Sequence, residues 1–276
     1  MNWPEELKND ILDHKCVIFI GAGVSKNSKN DRGNTPPTWK EFLIEASDKL
    51  PNNDVKTCVT EIINNNDYLM ACELLRNLMG PDAFYDFTKE KFDNGYIESD
   101  LHKLIFRLGS LIYMTPNFDK IFDTYARTVT HGKTVVKEYH EQGILNCIRR
   151  SDQLIIKMHG SIDNDNKMIF TKSDYAKARI NNTDFYKILE ALILTKTFLF
   201  IGAGLNDPDV QLIFENMAFS FRNSRKHFFV TPEIRKDILD VYSKTMNLKF
   251  IEYSNPTGSH DQLQVGLTEL VDELGL

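Results

Sequence analysis

Five apolar residues in a row, Cys16-Val17-Ile18-Phe19-Ile20, stop at Gly21. Similar short runs return at Leu111–Met114, Leu154–Lys157, Phe198–Ile201, Phe228–Val230 and Phe250–Ile251. Unbroken runs of this length fit strands that are buried on both faces of a parallel sheet. Between the later runs, helices are predicted over Asp207–Phe221, Pro232–Met246 and Asp261–Leu274. A short opening helix is predicted over Pro4–Asp13, where a proline near the first position suits a helix start. Strand and helix in alternation predict an α/β fold with a Rossmann-like, doubly wound parallel sheet.

The segment from Thr38 to Arg107 breaks that rhythm. Its apolar residues are spaced as on amphipathic helices (Trp39-Phe42-Leu43-Ala46, Leu74-Leu75-Leu78, Phe84-Phe87-Phe92), with no convincing strand. The expected organisation is therefore a Rossmann domain from residues 1–37 and 109–276, with a helical insertion over 38–108 after the first strand. A long polar loop, Lys26 to Pro37, leads into the insertion, and loops of that length are usually functional or disordered.

Composition narrows the function classes. The 276 residues are 42% hydrophobic and 26% charged, ordinary for a globular chain with a sizeable core. A net charge of −6 offers no global basic face, so no direct nucleic-acid binding is expected. The four cysteines, Cys16, Cys58, Cys72 and Cys147, form no CxxC pair, so no zinc site of ribbon or finger type is expected. Residues 1–15 are polar where a secretory signal needs an apolar stretch, and no apolar run reaches membrane-spanning length. A cytoplasmic location without membrane contact is the expectation.

Four motifs fall at the ends of apolar runs. The first is Gly21-Ala22-Gly23-Val24-Ser25, a turn whose glycines let backbone N–H groups approach a pyrophosphate. It lacks the third glycine of the full dinucleotide fingerprint, and a simple exit from the strand is an equal reading. The second is Thr115-Pro116-Asn117-Phe118-Asp119, where Asn117 either lines a ligand crevice or caps the following helix. The third is His159-Gly160, a histidine delivered by a strand to the same sheet edge and suited to general-base work. The fourth is Gly202-Ala203-Gly204-Leu205-Asn206-Asp207, which reads equally as a nucleotide contact or an Asx-capped turn.

In this order, the four motifs resemble the sirtuin superfamily over roughly residues 15–25 and 109–255. The resemblance implies that Gly21, Ala22, Gly23 and Ser25 hold the diphosphate of NAD and that Gly202, Ala203, Gly204 and Asn206 meet its adenosine half. It also implies that Asn117 and Asp119 line the nicotinamide–ribose pocket and that His159 is the base. The zinc-binding cysteine pairs of deacetylating sirtuins are absent, and after Ser25 the chain runs Lys26-Asn27-Ser28-Lys29-Asn30-Asp31-Arg32 rather than into their acyl-lysine loop. The chain is more similar to sirtuin-like NAD hydrolases of bacterial antiphage defence, such as the sirtuin-like part of the Thoeris effector. Those share a stretch after the histidine that ends in Asp-Tyr, here Asp174-Tyr175.

The expected reaction is cleavage of NAD, as substrate, to nicotinamide and ADP-ribose, with Asn117 orienting water or a ribose hydroxyl. Alternatives are protein deacylation, ADP-ribosyl transfer, and a catalytically inert module that senses NAD or ADP-ribose. Asn117 and His159 together at one sheet edge argue against the inert module. Because the Rossmann part and the insertion take up all 276 residues, control in trans is expected. The family offers self-assembly into a homo-oligomer and a separately encoded partner, a HerA-type ATPase or a short Argonaute.

Overall fold

The computed structural model describes residues 1–204, 211, 214, 215, 218–221 and 224–276. Seven strands, β1 (Cys16–Ile20), β2 (Ile112–Thr115), β3 (Val135–Glu138), β4 (Leu154–Lys157), β5 (Thr197–Ile201), β6 (His227–Pro232) and β7 (Leu248–Tyr253), form one sheet. Their order is β3-β4-β2-β1-β5-β6-β7, and every pairing is parallel.

The apolar runs follow from helices on both faces. Alternate residues of a strand point to opposite sides, so Ile18 and Ile20 enter one core while Val17 and Phe19 enter the other. The first core is covered by helices Glu5–Leu12, Asp100–Arg107 and Asp261–Glu273, through residues such as Leu7, Leu104, Ile105 and Leu267. The second is covered by helices Ile144–Arg149, Lys172–Asn181 and Thr183–Thr195, through Cys147, Tyr175, Phe185 and Leu189.

Helices Trp39–Ser47, Asn53–Asn64, Tyr68–Met79 and Pro81–Phe92 build a third core around Phe42, Leu43, Ile63, Leu75 and Phe84. That core also takes in Phe118, Ile162, Met168 and Phe170 from the loops beyond β2 and β4. Phe118 and Phe170 stack at 4.2 Å. The helices between β1 and β2 are thus fused to the carboxyl edge of the sheet.

Two details differ from the hydrophobic pattern. Edge strand β3 carries only two apolar residues, Val135 and Val136, and is half-buried along its length, so no apolar run announces it. Pro232 ends β6, paired with Tyr253, and the following helix starts at Lys236 rather than at the proline. The last position of a strand tolerates proline as well as a helix start does. The predicted helix Asp207–Phe221 falls largely outside the described residues.

Register aligns the strand ends. Ile20 pairs with Ile201, Phe19 with Met114, and Thr115 with Lys157, so β1, β2, β4 and β5 finish at one edge. β2 lies on one side of β1 and β5 on the other, and such a reversal opens a ligand crevice at the carboxyl ends of the strands.

Candidate functional site

A cavity of about 700 Å³ occupies that crevice. Gly21, Ala22, Gly23, Ser25, Asn117, Asp119, His159, Gly202, Ala203 and Gly204 all line it, four motifs brought together by strand register alone. Asn206 lies outside the described residues.

The two glycine turns interlock. Gly21 N–H donates to the Ile201 carbonyl at 3.0 Å and Gly23 N–H to the Gly202 carbonyl at 2.8 Å. A side chain on Gly21 would begin 2.3 Å from Ala203 Cα, and Gly202 sits at φ +62°. The glycines are therefore required by the neighbouring turn as well as by any ligand. Among the described residues, no acceptor takes the N–H of Ala22, Ala203 or Gly204, and all three residues line the cavity.

Asn117 is oriented by a directed chain of hydrogen bonds. Ser25 Oγ donates to Asp119 Oδ2 at 2.8 Å, and Asn117 Nδ2 donates to Ser25 Oγ at 3.0 Å. An ionised carboxylate only accepts, so the serine proton goes to Asp119 and the serine oxygen receives the amide. Asn117 is thereby left to offer its Oδ1 carbonyl to the cavity. Asn117 does not cap the helix Ile121–Val129, whose N-cap is Lys120; Asp119 Oδ1 accepts the N–H of Ile121 at 3.1 Å. Behind this loop, fully buried Lys157 pairs with Asp123 Oδ2 at 3.0 Å and donates to the Asp119 carbonyl. It ties the strand that delivers His159 to the loop that carries Asn117.

His159 is buried and packs edge-on against Tyr175, ring centres 5.1 Å apart, with its Nε2 3.4 Å from the Tyr175 hydroxyl. Tyr175 also lines the cavity. Its neighbour Asp174 caps helix Lys172–Asn181 in a reciprocal pair with Thr171 and accepts from Nη1 of Arg76 through both carboxylate oxygens, at 3.0 and 2.8 Å. Burial pushes the adjacent Glu73 carboxyl up. Bonds from Ser173 N–H and from the Thr171 and Ser173 hydroxyls outweigh it, with the Arg76 charge, and hold Glu73 below the ordinary range.

Patterning did not single out the opposite wall of the cavity. Trp39, Tyr68 and Phe92 come from the helices between β1 and β2, and Trp39 stacks on Phe170 at 6.0 Å. Arg76, Lys157 and Tyr175 were also not picked out as site residues. The Asp-Tyr pair was the one visible signal among them. Among the described residues, no three His, Cys, Asp or Glu side chains are grouped to hold a metal ion, and no helix is long and apolar enough to cross a membrane.

Residues 111–251 match the SIR2-like domain family. The chain is 30% identical over 226 residues to an NAD(+) hydrolase ThsA of Enterococcus faecium, covering 80% of this chain and 44% of that protein. It is 27% identical over 227 residues to the ThsA of Bacillus cereus (strain MSX-D12), covering 81% and 44%. Against the defense-associated sirtuin 2 of Bacillus subtilis it is 23% identical over 264 residues, covering 93% and 25%. The chain thus spans less than half the length of these curated relatives. Its matched segment contains β2 to β6 and most of β7, with Asn117, Asp119, His159 and the second glycine turn. The chain belongs to the SIR2-like domain family.

Proposed function

We propose that this chain cleaves the nicotinamide–ribose bond of NAD with water, giving nicotinamide and ADP-ribose. The observation that carries the reading is the convergence of oriented Asn117 and buried His159 on one crevice beside paired glycine turns. The relatives named as NAD(+) hydrolases support the choice of substrate.

Nicotinamide in NAD leaves as a neutral molecule, so the protein's task lies on the sugar side. There the reaction develops positive charge, as in glycoside cleavage generally. Asn117 Oδ1 offers a partial negative charge and a hydrogen-bond acceptor to the ribose or to the attacking water. The Asp119 carboxylate, one serine hydroxyl away, adds charge of the right sign. His159 takes the proton as water adds, and a positioned base contributes typically about 10²–10⁴-fold. The diphosphate meets the turn Gly21 to Ser25 after β1, and the adenosine half meets the turn Gly202 to Gly204 after β5.

We extend the reading to an NAD-depleting role in antiphage defence within a reducing cytoplasm, in keeping with four free cysteines. Control would come through self-assembly or a separately encoded regulator. The helices Trp39–Phe92 are read as the module that walls the cavity.

The test is chromatographic. Incubated with NAD, the chain should release nicotinamide and ADP-ribose in equal amounts, and both Asn117→Ala and His159→Ala should lose at least a hundredfold of that rate. A His159→Ala protein with unchanged turnover would remove histidine from the mechanism. Nicotinamide without matching free ADP-ribose would indicate transfer instead of hydrolysis.

A further inference from the structure

Outside the four motifs, the strongest unassigned feature of the crevice is the contact between its histidine and a residue held from the helical module. Tyr175 reaches His159 Nε2 with its hydroxyl at 3.4 Å while its ring packs edge-on against the imidazole. Hydrogen bonds between catalytic groups are often long before substrate binds and tighten in the complex. The next residue back, Asp174, is fixed from two sides. Its Oδ2 accepts the N–H of Phe170 at 3.2 Å and of Thr171 at 3.0 Å, and both its carboxylate oxygens accept from Nη1 of Arg76. Arg76 also donates to Thr171 Oγ1 at 3.0 Å, and Glu73 one turn earlier accepts from Ser173 N–H at 3.0 Å. Two successive turns of helix Tyr68–Met79 thus grip the first turn of the helix that carries Tyr175.

We infer that Tyr175 is a positioning residue for His159 and that Arg76, through Asp174, sets where Tyr175 stands, so that the helical module adjusts the base of the reaction. This rests on the proposed NAD cleavage for its kinetic consequence, but the contact itself is independent of that reading. A hydroxyl on one ring nitrogen selects which tautomer the imidazole adopts, and only one tautomer presents a lone pair where a proton must be taken. The planar fork matters, because Arg76 meets the Asp174 carboxylate with Nη1 and Thr171 Oγ1 with Nη2, a rigid pair of donors that a lysine ammonium does not reproduce.

Two measurements on the full chain test it. The first is side-chain ¹⁵N NMR of the imidazoles without ligand, comparing wild type, Tyr175→Phe and Arg76→Ala. Tyr175→Phe keeps the ring packing and removes only the hydroxyl, and urea midpoints report whether each variant is folded to the same extent. Wild type should show one dominant His159 tautomer, and both variants a more even mixture. The second is steady-state NAD cleavage. Tyr175→Phe should lower kcat about tenfold with KM within about twofold, and Arg76→Lys should recover only part of what Arg76→Ala loses. Identical His159 tautomer populations in wild type and Tyr175→Phe would overturn the inference whatever the kinetics. A tautomer shift in Tyr175→Phe, together with a wild-type chain that leaves NAD intact, would uphold the positioning contact and sink the NAD reading instead.

Discussion

Gly21 and Gly204 line the same crevice under opposite constraints. A methyl on Gly21 would collide with the backbone of the second turn at 2.3 Å, whereas none of the described residues lies within 4 Å of the corresponding point on Gly204. Backbone cannot move aside as the end of a side chain can, so Gly21→Ala should destabilise the chain by about 1–3 kcal/mol or more. Gly204→Ala should stay within about 0.5 kcal/mol. Urea unfolding of the two variants beside wild type checks this, and equal costs would show that the interlock of the turns is not what requires Gly21. At this scale the sequence was legible where chemistry sits directly after a strand, as with Gly21, Asn117 and His159. It was mute for Arg76, whose partner Asp174 lies 98 residues away and is found only by folding. The Asn117 cap reading failed for a related reason. Asp119 accepts the first N–H of helix Ile121–Val129 instead, and the serine that claims the asparagine amide comes from the turn after another strand.

Strands and helices are joined by two buried histidines that play no part in the crevice. His102 accepts Ser99 N–H at 3.2 Å at the start of helix Asp100–Arg107, and His227 at the start of β6 accepts Phe198 N–H of β5 at 3.1 Å. Burial pushes both imidazoles down to about 4, well below the ordinary value of 6.5. A histidine released by unfolding binds a proton near pH 6.5, while the folded one resists until about pH 4. The unfolded state therefore holds more protons throughout that window, and stability rises with pH across it. The contribution is complete above about pH 6.5 and is lost as pH falls toward 4, up to roughly 3 kcal/mol per group by the usual conversion. The urea midpoint should fall steadily between pH 7 and pH 4.5. A flat midpoint across that range would mean that the two rings are not held neutral in the fold. The sheet itself was largely readable because most of its strands are buried on both faces. Edge strand β3 was not, since exposure on one side removes the apolar run, and Pro232 was assigned to a helix because proline suits a strand end equally well.

Across the whole molecule, the helices between β1 and β2 do two jobs with one surface. Their third core absorbs Phe118 and Phe170 from the loops beyond β2 and β4, and Trp39, Tyr68 and Phe92 close the cavity from the same side. Ion pairs stitch the remaining seam, Lys26 to Glu41 at 2.7 Å and Lys172 to Asp67 at 3.1 Å among them, each exposed enough to contribute little alone. The amphipathic pattern announced the helices but not their docking, because periodicity reports which face is apolar and not what will cover it. The resulting crevice is narrow in chemistry: donors at the glycine turns, an asparagine carbonyl held by serine and aspartate, and a histidine held by tyrosine. The most direct test is a crystal structure of His159→Ala soaked with NAD, a variant that should bind the dinucleotide without cleaving it. The account predicts the diphosphate at the turn Gly21 to Ser25, the adenosine half at Gly202 to Gly204 and the nicotinamide ribose within hydrogen-bond reach of Asn117 Oδ1. NAD bound elsewhere, or turned with its adenosine toward Asn117, would contradict it.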